Sequence, residues 1–137
     1  MITVEEYFGP HKGHKDATDE RVENAKRLLL KCAALETEMF DMGVEFPINP
    51  TTKSGVSGTT YGGFRPQDCP IGAPNSAHKL GLAVDRYDPL GKIDKWLLEH
   101  PEKLRKHGIY IEHPTATSGW SHWSSKAPKS GNYIFYP

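Results

Sequence analysis

The stretch Ser76-Ala77-His78-Lys79-Leu80-Gly81-Leu82-Ala83-Val84-Asp85 decides how this chain is read. It has the form S-x-H-x-x-G-x-A-x-D. Six residues separate its His from its Asp, which is not the three- or four-residue step that stacks two side chains on one helix face. A turn leading into a strand brings them to one point instead. Gly81 lets the chain enter the strand, and Gly81, Ala83 and Asp85 then share one face. Small residues before Asp85 leave room beside it for a metal or a substrate. A second histidine follows in Gly119-Trp120-Ser121-His122-Trp123. On a strand there, Trp120, His122 and Ser124 share one face, with Ser121 and Trp123 on the other. His78, Asp85 and His122 form a three-ligand set with the fourth position open, the usual arrangement of a catalytic zinc ion.

Outward from this motif, the chain places helices first and strands later. Val4–Phe8 reads as a short helical turn stopped by Gly9-Pro10. Thr18 or Asp16 can cap a long helix, with Asp19 and Glu20 suiting the dipole of its first turn. Val22, Ala25, Leu29, Cys32, Leu35 and Met39 recur at helical steps as one apolar stripe, and Gly43 ends it. Residues 47–60 read as a loop feeding a strand near 59–65, and 67–75, with two prolines and a glycine, as irregular. Residues 80–87 read as a strand. Asp88-Pro89 then starts a helix whose apolar face is Ile93, Trp96 and Leu97. Pro101 opens another helix that Gly108 closes. Residues 109–112, 119–124 and 133–136 are strand-like, and the aromatics Trp120, Trp123, Tyr133, Phe135 and Tyr136 are expected in the core rather than along a glycan groove. The order implies an α+β fold, with helices packed on a small, mainly antiparallel sheet.

At 137 residues the chain fits one domain, 1–137, large enough to bury a real core. Its formal net charge of zero gives no global preference for nucleic acid or anionic membrane. No apolar run is long enough to span a bilayer. The start, Met1-Ile2-Thr3-Val4-Glu5-Glu6, lacks the basic and apolar regions of a secretory signal. The two cysteines have no zinc-finger spacing and are expected to be reduced. Cys32 lies on the apolar helix stripe and Cys69 in a Pro-rich loop.

The decapeptide, the upstream Gly63-Phe64-Arg65 and the downstream Trp120-x-His122 resemble the zinc D-Ala-D-Ala carboxypeptidases and L-alanyl-D-glutamate peptidases. These enzymes act on bacterial peptidoglycan, share a fold with the hedgehog signalling domain, and include many phage lysins. The resemblance covers residues 59–125 by motif. It implies the hedgehog/DD-peptidase fold and zinc held by His78, Asp85 and His122. Arg65 matches the arginine that binds or orients the substrate peptide, and Ser76 the serine that supports the site or contacts substrate. Trp120 joins them as a substrate-binding candidate. The implied partner is a peptidoglycan peptide, and the implied reaction is cleavage of its stem or crosslink by a carboxypeptidase or an endopeptidase. A monomeric lysin is expected, held in the host cytoplasm before release to the wall or carried on the virion.

One position departs from that pattern. Many members carry Glu or Asp three residues before the last His, as general base, and this chain has Gly119. Glu112 is the nearest acid upstream of His122. With Ile109 and Ile111 on the buried face of their strand, Tyr110 and Glu112 point the other way, toward the cleft. His113 is the alternative base. The departure keeps two other readings open: a non-catalytic zinc domain that binds a peptide or protein, and a phage structural protein that kept the fold without the metal. His11 and His14 are expected at the surface, and His100 and His107 as helix-end residues.

Overall fold

A computed structural model describes residues 1–73 and 75–137 of the chain. The first helix, α1 (Val4–Phe8), starts with a reciprocal cap. The Thr3 hydroxyl accepts from the Glu6 amide, and the Glu6 carboxylate accepts from the Thr3 amide. The long helix α2 (Asp19–Asp41) is capped by Thr18, whose hydroxyl accepts from the Arg21 amide at 3.4 Å. Asp16, the other candidate cap, instead accepts from the Gln67 amide at 2.9 Å and ties two loops together. Gly43, at φ +87, turns the chain just past the helix end. The expected stripe is the buried face of α2: Ala25, Leu29, Cys32, Leu35 and Met39 are buried, joined by Leu28, and Val22 is partly buried against them.

Four strands follow: β1 (Ala83–Tyr87), β2 (Tyr110–Glu112), β3 (Trp120–Ser124) and β4 (Ile134–Phe135). The sheet order is β1-β3-β2-β4. The β1–β3 and β3–β2 pairs are antiparallel, and β4 runs parallel to β2. Helices α3 (Lys92–Glu99) and α4 (Pro101–His107) lie between β1 and β2 in sequence. Ile93, Leu97 and Leu104 from these helices join Val84, Ile109, Ile111 and Trp123 from the sheet and the α2 stripe in one core. The α+β architecture, with a mainly antiparallel sheet, is therefore observed.

A charge lies inside that core. Arg86 is 2% exposed and sits between the rings of Phe46 and Trp123, at 4.8 and 5.2 Å. Its guanidinium pairs with Glu36 of α2. Alternation along β1 puts Val84 and Arg86 on the core face, and so puts Ala83 and Asp85 on the other.

Three segments differ from expectation. Residues 59–65 form no strand. They run as bends along the outer edge of β1, where the Ser57 amide donates to the Asp85 carbonyl at 2.8 Å and the Asp85 amide to the Gly62 carbonyl at 2.6 Å. The β1 edge is thereby covered without a regular ladder. Strand β1 begins at Ala83 rather than Leu80, because Ala77–Leu80 closes into a 3-10 turn first. Helix α3 begins at Lys92, not at Asp88-Pro89. Residues 88–91 form a turn, and the Asp88 carboxylate caps from outside by accepting the Ile93 and Asp94 amides, each at 3.1 Å. The remaining strands are trimmed by a residue at their ends, where pairing frays. Both cysteines are free and buried, and burial pushes the Cys32 thiol up to about 12. Among the described residues, no helix is long and apolar enough to cross a membrane.

Candidate metal centre and its cleft

His78 is aimed by backbone. The 3-10 turn that carries it ends at Gly81, which takes φ +75. A Cβ there would lie 2.4 Å from the Arg21 carbonyl oxygen, so only glycine lets the turn lie flush against the start of α2. The His78 Nδ1 is 2.8 Å from the Gly63 carbonyl oxygen. That nitrogen carries a proton and donates it, which leaves Nε2, 3.2 Å from Asp85 Oδ1, to donate to the carboxylate when the ring is charged or to turn a lone pair to a metal when it is neutral. Gly63 is itself pressed onto α1: a Cβ there would be 2.0 Å from the Tyr7 carbonyl oxygen.

Asp85 and His122 face each other directly in the β1–β3 register. His122 Nδ1 lies 2.9 Å from Asp85 Oδ1. The three side chains are buried, and one nitrogen or oxygen from each lies within 4.8 Å of the others. Two contacts, at 3.2 and 2.9 Å, approach the separation of neighbouring ligands on a tetrahedral zinc, about 3.3 Å for bonds of roughly 2.0–2.1 Å. Two imidazole nitrogens, one with its proton fixed on the far side, and a carboxylate oxygen are donors suited to zinc. Burial alone would raise the Asp85 carboxyl, but the imidazoles of His78 and His122 outweigh it and hold the group well below the usual carboxylate range. Burial pulls His122 down, yet the Asp85 hydrogen bond and the charges of Asp85 and Glu112 leave it raised.

Arg65 stands behind the trio. Its Nη2 donates to Asp85 Oδ2 at 3.3 Å and its Nε to the Tyr61 carbonyl at 2.9 Å. It therefore holds a candidate ligand as well as facing the cleft. Glu112, at the end of β2, places Oε1 3.9 Å from His122 Nε2. His113 turns elsewhere: it accepts from the Thr115 amide and stacks on Tyr136 at 4.6 Å. Gly119 has φ +98 and open space where a Cβ would be. Its backbone conformation, which L side chains rarely adopt, accounts for glycine there.

A cleft of about 660 Å³ opens over these groups. Arg65, Ser76, Trp120 and Glu112 line it together with His78, Asp85 and His122, so the structure brings every sequence-selected site residue to one place. Ser76 makes no side-chain cap to its own turn. Sequence reasoning missed three contributors. The Gly63 carbonyl orients His78, a role that the motif around this glycine does not reveal. Of the aromatics expected in the core, Trp123 is buried there, but Tyr136 is 70% exposed, Trp120 lines the cleft, and Phe135 lines it too with its ring edge-on to His122 at 6.2 Å. Lys126 crosses the rim and donates to the Asn75 carbonyl at 3.1 Å.

The other histidines have ordinary roles. His11 is half-buried, stacks on Tyr61 and bonds the Thr60 carbonyl at 3.0 Å. His14, Asp16 and Asp68 also cluster, but His14 Nδ1 already accepts from the Asp16 amide and Asp16 from the Gln67 amide. His100 stacks on Trp96, and His107 pairs with Glu38 of α2. Compared with known protein families, curated proteins and solved structures, the chain matches none.

Proposed function

We propose that the protein is a zinc peptidase that hydrolyses peptide bonds in the stem or crosslink of peptidoglycan, as a phage lysin does. The observation that carries this reading is the convergence of His78, Asp85 and His122 on one point at the floor of an open cleft, with Glu112 beside them. The resemblance of the 76–85 motif to the peptidoglycan peptidases supplies the substrate class. A zinc ion held by these three side chains would supply Lewis-acid polarisation of the scissile carbonyl and lower the pKa of water. Glu112 takes the proton from the attacking water at its carboxylate and returns it to the leaving amine. Arg65 keeps Asp85 in place and presents positive charge to the peptide, which turns positioning into rate. Trp120 and Ser76 flank the bound chain.

A second reading, a zinc domain that binds a peptide without cutting it, is favoured by Gly119 alone, where no acidic side chain is present. Mass spectrometry of muropeptides after digestion with the zinc-loaded protein separates the two. New termini at a defined peptide bond support the peptidase. A protein that holds zinc yet leaves the muropeptides intact refutes it in favour of the binding domain.

A further inference from the structure

We infer that the cleft is a groove open at two ends, which takes a peptide running through it, so that an internal bond is cut and the acidic part of the substrate lies over Lys126 and Lys129. The inference rests on the peptidase reading above and narrows its substrate. The cavity of about 660 Å³ is not the only one at the centre. A second, of about 340 Å³, shares Arg65, Asp85 and Trp120 with it and runs on along residues 57–62. Asp85 thus borders both cavities, and the groove we infer joins them across it as two arms.

An enzyme that trims one terminal residue needs a wall that stops the chain beside the reacting bond, whereas Asp85 here borders two cavities. The two arms also differ in charge. Lys126 and Lys129 line the larger one, which also holds Glu112. Apart from the shared Arg65, Asp85 and Trp120, the smaller is lined by Ser57, Thr59, Thr60, Tyr61, Ile71 and two glycines, and adds no charged group of its own. Carboxylates are drawn to the first arm, while the second suits an uncharged backbone that hydroxyls can hydrogen-bond.

The test uses the zinc-loaded protein and a synthetic acidic stem pentapeptide in two forms, one with free ends and one acetylated and amidated. Both forms should be cut at a bond other than the last, with kcat/KM values within about threefold. Release of the last residue from the free form only would overturn the groove and leave the peptidase reading standing. If neither form is cut, the peptidase reading fails, and amide chemical-shift mapping with the blocked peptide decides the groove. Shifts in both 57–62 and 126–129 support it; shifts in one arm, or in none, overturn it. Joint Lys126→Glu and Lys129→Glu replacement should raise KM, or Kd where nothing is cut, by about tenfold, the scale of two exposed charge pairs reversed. Unchanged values with unchanged zinc content would overturn the polarity assigned to the arms.

Discussion

Replacing Asp94 by asparagine should stabilise the fold, and the gain should grow as the pH rises. Asp94 is fully buried in the first turn of α3. Its Oδ2 accepts from Thr117 Oγ1 at 2.8 Å, and its Oδ1 has no partner among the described residues. Burial, with a smaller push from Asp88, raises its carboxyl from 3.8 to about 6 although Ser121 and Thr117 pull the other way. A carboxyl raised on folding contributes its full stability below the unfolded pKa and loses it as the pH climbs through the folded one. The window is therefore about pH 4 to 6. Roughly two pKa units correspond to an upper limit of about 3 kcal/mol at pH 8, and to about 1 kcal/mol at pH 4.5. The Asp94→Asn side chain would keep an acceptor for Thr117 and carry no charge. Urea unfolding of both proteins, with a chelator present so that metal release does not enter, measures the difference. The stability gap should widen by about 2 kcal/mol between pH 4.5 and 8. A gap that stays constant, or shrinks, would refute the reasoning. The result bears on the site, because Thr117 and Ser121 frame the loop that joins Glu112 to His122.

Four further outcomes are expected. Metal analysis of His78→Ala and of His122→Ala should show loss of most zinc, and full zinc content in both would remove the metal assignment. Glu112→Gln should keep zinc and fold but lose about a hundred- to ten-thousandfold in muropeptide turnover; full activity would move the proton transfer to another group. Gly81→Ala should lower stability by more than about 2 kcal/mol, because both the positive φ and the Arg21 carbonyl exclude a Cβ. Thermal unfolding at the wild-type midpoint would contradict this. Glu36→Ala should cost about 3–5 kcal/mol by leaving Arg86 charged and unpaired in the core, and a loss under about 1 kcal/mol in urea unfolding would show that the pair is dispensable.

The sequence by itself determined the features that depend on neighbours along the chain. The stripe from Ala25 to Met39 repeats at the helical period, so α2 followed from spacing alone. The pairing of His78 with Asp85 was legible because Gly81 and the small residues after it prescribe a turn and then a strand. Alternation alone put His122 and Trp120 on one face and Trp123 on the other. What tertiary structure decided depends on contacts between segments far apart. Nothing near Gly63 announces that Tyr7 will press against it and that its carbonyl will fix the proton of His78. Glu112 approaches His122 because β2 lies beside β3 in the order β1-β3-β2-β4. Residues 59–65 looked like a strand but were drawn into an irregular cover for the β1 edge, since backbone groups there could be satisfied without a ladder. The start of α3 moved to Lys92 because a buried Asp88 caps it from four residues away, across a turn. Local pattern selects the ligands, and long-range packing sets the distances and proton positions that would let them hold a metal.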